Sequence, residues 1–178
     1  VLEPGDRVEI ASGSYEDKIV IGASGTQDAP IAIAAAPNAD VQVSKGGIRI
    51  AADFITLDGI TVENAGSGDD AGIYITSGKN ITVRNVTARK NDGGGVKISP
   101  ADGPVVDLRI SGGTFADNNG AGIVATGSDV LVGLQIDGVT LTDNAGDGLQ
   151  IERASQVTVS RISTARNGKD DERNGVFL

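Results

Sequence analysis

The stretch NAGDGLQIERASQVTVSRISTARNG, residues 144–168, begins at Asn144 and ends just after Asn167. Three short segments inside it, GLQI, VTVS and IST, alternate between apolar and polar residues. Alternation with a period of two over three to five residues predicts short strands that have one buried face. The stretch therefore predicts a unit of three strands that is closed at each end by an Asn-containing turn.

The same unit recurs along the chain. Turn-associated Asn residues are separated by 27, 27, 26 and 23 residues, at Asn64, Asn91, Asn118, Asn144 and Asn167. A first strand follows each of them, with the sequences GIYI, GVKI, GIVA, GLQI and GVFL starting at residues 72, 95, 122, 148 and 175. Self-similarity at this period predicts a solenoid in which each coil packs on its neighbours.

Three short parallel strands per coil predict an all-β fold, a parallel β-helix that forms one domain over residues 1–178. Residues 1–47 are expected to form irregular N-terminal coils, and residues 48–178 regular ones. Equivalent residues should stack about 4.8 Å apart. The inward residues of the first strands are expected to be Ile48 and Ile50, Ile73 and Ile75, Val96 and Ile98, Ile123 and Ala125, Leu149 and Ile151, and Val176 and Leu178.

Two polar columns accompany this core. We interpret the five Asn residues as a structural ladder, because stacked Asn side chains can hydrogen-bond one another and Asn tolerates the left-handed conformation of tight corners. A second column on an outward face consists of Thr61, Thr87, Thr114, Thr140 and Ser163. We interpret it as ordinary β-sheet surface, since hydroxyl and β-branched residues suit a flat sheet.

Composition excludes several functions. The net charge of −9 and the lack of Lys/Arg runs argue against binding to nucleic acid, which requires clustered positive charge. The sequence contains no His and no Cys, so His-dependent catalysis and zinc sites built on these residues are excluded. No apolar run is long enough to predict a membrane span.

The opening segment LEPGDRVEIASGSYEDKIVIGASGTQDAPIAIAAAP, residues 2–37, resembles the entry segment of pectate-lyase-like polysaccharide lyases. In that family a PGD turn, a G-x-Y and an SGT…API-I-A stretch precede the first regular coils. FITLDGITVENA, residues 54–65, and NITVRN, residues 80–85, also resemble these lyases and the repeats of secreted alginate epimerases. The resemblance implies a right-handed parallel β-helix and a secreted, extracellular protein that acts on or binds an acidic (uronate) polysaccharide. The resemblance indicates the activity by analogy, because proteins with this fold have many different functions.

The lack of His disfavours the epimerase and hydrolase mechanisms of these relatives and leaves a lyase as the expected enzyme. The outward column of the first strands is predicted to be Arg49, Tyr74, Lys97, Val124, Gln150 and Phe177. The resemblance implies a Lys or Arg base, so Lys97 is the candidate base. Arg49 and Tyr74, with Gln150 and Glu152 on a later coil, are candidate substrate-binding residues. The alternative interpretation of this column is a solvated sheet face.

The resemblance also implies Ca²⁺ as a cofactor. Acidic turn residues supply the oxygen ligands that Ca²⁺ prefers. We expect Asp92, Asp117 and Asp143 to stack beside the Asn column as calcium ligands, and Asp69, Asp70, Asp147, Asp170 and Asp171 are further candidates. The alternative is a set of solvated acidic turns.

A different class of function also fits the sequence. Val176 and Leu178 would be inward core residues of the last coil. A solenoid end that exposes apolar residues needs a cap or a partner. The second hypothesis is therefore a non-catalytic scaffold of the filament, tailspike or adhesin type that associates end to end through this C-terminal coil.

Overall fold

The computed structural model of the protein describes residues 1–66, 71–126, 130–168 and 175–177. These residues form a right-handed parallel β-solenoid of about six turns, as the sequence predicts. Its described part contains no helix that is long and apolar enough to cross a membrane. Leu178, predicted as a core residue, lies outside the described residues.

Each coil contributes one strand to each of three parallel ladders, which we name sheets A, B and C. Sheet A contains β1 (Arg7–Ile10), β4 (Ile31–Ala35), β7 (Ile55–Asp58), the second half of β9 (Ile73–Arg84), β12 (Val105–Ser111), β15 (Leu131–Asp137) and β18 (Thr158–Ser160). Sheet B contains β2 (Gly13–Tyr15), β5 (Val41–Ser44), β8 (Thr61–Glu63), β10 (Thr87–Arg89), β13 (Thr114–Ala116), β16 (Thr140–Thr142) and β19 (Ser163–Ala165). Sheet C contains β3 (Ile19–Ile21), β6 (Ile48–Ala51), the first half of β9, β11 (Val96–Ile98), β14 (Ile123–Ala125), β17 (Leu149–Ile151) and β20 (Val176–Phe177).

Left-handed residues turn the chain at the corners between these sheets. In one coil they are Asn80 within β9, where the strand enters sheet A, Asn85 between sheets A and B, and Lys90 after sheet B, with φ of 53°, 53° and 55°. Equivalent corners of the neighbouring coil use Asp107, Gly112 and Asp117. Gly, Asn and Asp adopt this conformation at lower cost than other residues, which explains why they recur between the apolar segments.

The core consists of inward Ile, Val, Leu and Ala columns, with Phe115 as its largest fully buried side chain. The expected inward residues of the first strands are buried from Ile48 to Ile151, and Val176 is partly buried. Complete burial of an aliphatic side chain of this size contributes about 1.5–3 kcal/mol. Stacking equivalent positions therefore builds a continuous apolar column, although most of the strands are only three to five residues long.

The N-terminal coils join the same three ladders. Strand β1 pairs with β4 from Arg7↔Ala32, an offset of 25 residues, and β3 pairs with β6 from Ile19↔Ile48, an offset of 29 residues. The later coils repeat after 26 or 27 residues at most positions, as in Thr61↔Thr87. The varying offsets are taken up in the loops, while the parallel register of the strands is maintained.

The predicted Asn ladder is present from Asn91 to Asn167, with Asn91, Asn118 and Asn144 buried and Asn167 partly buried. The Nδ2 of Asn91 donates to Oδ1 of Asn118 at 2.9 Å, that of Asn118 to Asn144 at 2.8 Å, and that of Asn144 to Asn167 at 2.9 Å. Each receiving Oδ1 also accepts the backbone N–H of the preceding Asn at 3.1 Å. The ladder thus satisfies buried backbone and side-chain groups at once, which buried polar groups require.

Asn64 was wrongly predicted as a member of this ladder. The strand register pairs Val62 with Ala88, so the position equivalent to Asn91 is Ala65. The backbone N–H of Ala65 donates to Oδ1 of Asn91 at 3.0 Å, and the ladder starts from there. Asn64 is exposed and occupies the left-handed corner position with φ of 54°.

We predict that Asn118→Ala destabilises the protein by about 2–4 kcal/mol, because several buried polar groups lose their hydrogen-bond partner. These groups are the N–H and side-chain amide of Asn91 and the carbonyl of Ala88. The matched control is Asn119→Ala, since the adjacent Asn119 is exposed and its side chain donates a 3.3 Å hydrogen bond to Asp92. Chemical denaturation measures both variants, and equal midpoints would contradict the structural role of the ladder.

Candidate functional site

The outward face of sheet C carries one column of side chains that crosses all its coils. The strand register aligns its members in the order Val20, Arg49, Tyr74, Lys97, Val124, Gln150 and Phe177. Parallel strands are about 4.8 Å apart, so Arg49, Tyr74 and Lys97 lie on three consecutive rungs. We refer to these three residues as the cationic column.

Tyr74 lies between the two cations of this column. The Nζ atom of Lys97 is 5.6 Å from the centroid of the Tyr74 ring, within the range of a cation–π interaction. The side chains of Tyr74 and Lys97 are partly buried. The column therefore presents an aromatic ring and a fixed cation on the same flat face.

Arg49 at the other end of the column is bound to a carboxylate that sequence analysis missed. Its guanidinium forms a salt bridge with Asp102, and its Nε is buried without a hydrogen-bond partner among the described residues. Asp102 belongs to a loop on the Lys97 coil, yet it contacts a residue two coils away. Sequence reasoning missed this pair because it joins a regular strand position to a loop, where no period connects them.

Backbone hydrogen bonds hold this loop, residues 99–104, against the solenoid. The N–H of Asp102 donates to the Thr76 carbonyl at 3.1 Å, and the N–H of Gly78 donates to the Pro104 carbonyl at 2.9 Å. The pKa of the Asp102 carboxyl is lowered, first by a hydrogen bond from the Thr76 hydroxyl and then by Arg49. The Thr76 hydroxyl also lies 3.4 Å from the Ile50 carbonyl, so two acceptors compete for its proton.

An open groove of about 360 Å³ lies between this loop and the corner where sheet C meets sheet A. Asp102, Gly103 and Pro104 form one wall. The rest of the lining includes Ser24, Asp53, Ser77 and Lys79. The groove is thus adjacent to the Arg49 end of the cationic column, and we refer to it as the corner groove.

Gln150 and Glu152 lie apart from the cationic column. Val124 occupies the rung between Lys97 and Gln150. The Nε2 of Gln150 donates to Oε1 of Glu152 at 2.7 Å, so these side chains form a pair of their own. The structure therefore brings together three of the five predicted catalytic and substrate-binding residues and leaves these two on a later coil.

The three predicted calcium ligands do not meet. Asp117 and Asp143 precede the ladder residues of their coils, whereas Asp92 follows Asn91 and lies on the other side of the ladder, where it accepts a 3.3 Å hydrogen bond from Asn119. Asp143 also binds Arg166 at 2.7 and 2.8 Å. Within the described residues no three acidic side chains are grouped to hold a metal ion, so these residues do not fit the expected Ca²⁺ site.

The remaining candidate ligands divide into two groups. Asp147 is buried near the ladder, where its carbonyl accepts the N–H of Gly122 at 2.9 Å. Asp69, Asp70, Asp170 and Asp171 lie outside the described residues.

Sheet A carries a second charged surface that the sequence did not predict. Asp58 accepts hydrogen bonds from Arg84 and Asn85 at 2.9 Å each. Asp137 binds Arg161, with 2.9 Å from Nε to Oδ1, and Arg109 lies 4.0 Å from the same carboxylate. These pairs link adjacent coils, and their exposure limits each one to a small contribution to stability.

We predict that the NMR titration midpoint of Asp102 lies below 3.8 and that Thr76→Val moves it upward, because the hydroxyl donor is lost. A lowered folded-state pKa means that this carboxylate stabilises the fold above its unfolded pKa and loses that contribution as the pH falls through the folded one. Thr82→Val on sheet A is the control and should leave the midpoint unchanged. An unchanged midpoint in Thr76→Val would contradict the assigned hydrogen bond.

Comparison with known proteins agrees with the architecture. The sequence profile of the family described as "Right handed beta helix region" matches residues 36–162. The crystal structure of pectate lyase Pel9A is similar over 99% of this chain and 49% of that chain, with a TM-score of 0.78 and 19% sequence identity. The present chain thus spans about half the length of that enzyme's chain. A search of curated proteins gives no match.

Proposed function

The chain belongs to the right-handed β-helix family, and we propose that it is a secreted lyase that binds an acidic polysaccharide along the cationic column and cleaves it by β-elimination. The observation that carries this proposal is the placement of Arg49, Tyr74 and Lys97 on consecutive rungs of one exposed face. The name of the similar structure, a pectate lyase, makes polyuronates the first substrates to test.

The column offers the contacts that an acidic sugar chain requires. An aromatic ring packs against the apolar face of a sugar, and its polar tip remains available for hydrogen bonds. Cationic side chains bind carboxylates through charge-assisted hydrogen bonds. In this proposal Tyr74 packs under one uronate residue, Arg49 contacts the carboxylate of that residue, and the Nζ of Lys97 lies beside the carbon next to the carboxylate.

The proposed reaction requires a base at the carbon next to the uronate carboxylate. The Nζ of Lys97, acting as the base, takes the proton from this carbon and becomes an ammonium, and the released electron pair forms a C=C bond to the neighbouring carbon. The bond from that neighbouring carbon to the glycosidic oxygen breaks, and the leaving oxygen takes a proton from water. The hydroxide that remains takes the proton from the Lys97 ammonium and restores the base. A nearby cation favours the step, because negative charge builds up on the carboxylate as the proton leaves. In this proposal Lys97 is the base and Arg49 is the cation, so the reaction requires no His.

We predict that Lys97→Ala lowers the elimination rate by about 10²–10⁴-fold, the usual contribution of a general base. The assay follows the absorbance of the unsaturated product from pectate, alginate and glycosaminoglycans, with added Ca²⁺ and with EDTA. Lys90→Ala is the matched control, because Lys90 lies at a left-handed corner beside sheet B. Wild-type protein that forms no product from any of these polymers in either condition would refute the lyase proposal.

A second candidate function is a scaffold whose copies associate end to end. The observation that favours it is an apolar pocket of about 420 Å³ on the coil that contains β17 and β18, lined by Ile151, Ala154, Val157 and Val159 together with Arg153. We propose that the first coil of a second copy occupies this pocket. Apolar side chains of that coil, such as Val8, are only partly buried within one copy.

End-to-end association predicts that the wild-type mass measured by light scattering increases with protein concentration. Val159→Asp should hold the protein as a monomer, because a charge would be buried in the contact. Thr158→Asp is the matched control, since Thr158 is the outward neighbour on the same strand. A constant monomer mass of the wild type at all concentrations would refute association.

A further inference from the structure

We propose that the corner groove is a binding site for an uncharged sugar residue, next to the residue that the cationic column holds. The proposal rests on the proposed function, because it extends the same polysaccharide site. The observation that carries it is the pairing of charges around the groove: each of its two carboxylates is already matched by one cation.

Asp102 forms one of these pairs. Its carboxylate binds Arg49 and accepts from Thr76, while its backbone N–H is fixed to the Thr76 carbonyl at 3.1 Å. On the side that faces the groove, Asp102 thus compensates the charge of Arg49. A second carboxylate that approached Arg49 from the groove would meet the Asp102 carboxylate and be repelled.

Asp53 and Lys79 form the other pair. Oδ1 of Asp53 accepts the backbone N–H of Lys79 at 3.0 Å, and Oδ2 lies 3.8 Å from the Lys79 Nζ. The backbone N–H of Asp53 donates to Oγ of Ser24 at 3.0 Å, which fixes that hydroxyl on the same wall. The ammonium of Lys79 also lies 5.3 Å from the Phe54 ring centroid. The Lys79 ammonium therefore already has an anionic and an aromatic partner within the protein.

The resulting lining suits hydroxyl groups. Carboxylate oxygens of Asp53 and Asp102 accept hydrogen bonds from sugar hydroxyls, and the Lys79 ammonium and Ser77 hydroxyl donate to them. A volume of about 360 Å³ lies within the range of small-molecule sites. An uncharged sugar, or a uronate whose carboxyl is esterified, gains these contacts without placing a third negative charge in the groove.

This arrangement makes Asp102 a specificity-determining residue. It separates the polysaccharide site into a region that favours carboxylates, around Tyr74 and Lys97, and a region that disfavours them, in the corner groove. The preferred polymer would then carry charged and uncharged residues side by side, as a partly esterified polyuronate does.

The test compares two probes that differ at their carboxyl groups, trigalacturonate, which is charged, and its fully methyl-esterified form, which is neutral. Calorimetry gives the ratio of the two affinities, and NMR shifts of the Ser77, Lys79 and Gly103 amides report binding at the groove. Asp102→Asn keeps the shape of the side chain and removes its charge. In this variant we expect the ratio of the affinity for the ester to the affinity for the acid to fall by about 2- to 5-fold. This change corresponds to the interaction of one exposed pair of charges.

Asp58→Asn is the matched control, because it removes a carboxylate that binds Arg84 on sheet A, away from the groove. Its affinity ratio should equal that of the wild type. An unchanged ratio in Asp102→Asn, an equal fall in Asp58→Asn, or the absence of groove shifts with either probe would overturn the proposal. Elimination product from a polyuronate together with any of these results would refute the groove alone and leave the proposed lyase standing.

Discussion

Buried Asn side chains set the register on which this solenoid depends. The Oδ1 atoms of Asn118, Asn144 and Asn167 each accept both the side-chain amide and the backbone N–H of the Asn one coil earlier, which fixes the alignment of these neighbouring coils. A slip by one residue would bury unsatisfied polar groups, and it would also turn every apolar side chain of the short strands outward. The ladder and the aliphatic core therefore enforce the same alignment.

That alignment also generates the outward columns on which function can be built. Because the register fixes Arg49, Tyr74 and Lys97 on successive rungs, three residues 23 to 25 positions apart in the sequence form a continuous surface. The outward side chains can vary without changing the packing of the core. The same scaffold can carry a binding face on one sheet and the plain Thr column of Thr61, Thr87, Thr114, Thr140 and Ser163 on another.

The periodic part of the structure could be predicted from the sequence, since period-two alternation and a near-constant repeat length determine strands, core and columns together. The errors arose where two positions favour the same residue type. Asn64 and Asn91 both occupy turns, but one adopts the left-handed corner and the other the buried ladder position beside it. The prediction for Asp92 failed for the same reason, because Asp92 follows its ladder residue whereas Asp117 precedes its own. The Arg49–Asp102 pair was beyond prediction because the path of the loop depends on tertiary hydrogen bonds.

The overall charge of −9 does not decide what the sheet C face can bind. Exposed charges are screened beyond about 8–10 Å at physiological ionic strength, so a polyanion at this face experiences mainly the nearest side chains. Asp102 is the carboxylate bound to the column, and Arg49 compensates its charge. The local net charge at the column therefore differs from the net charge of the whole protein. An acidic β-helix can attract an acidic polymer at one face while the rest of its surface keeps other polyanions away.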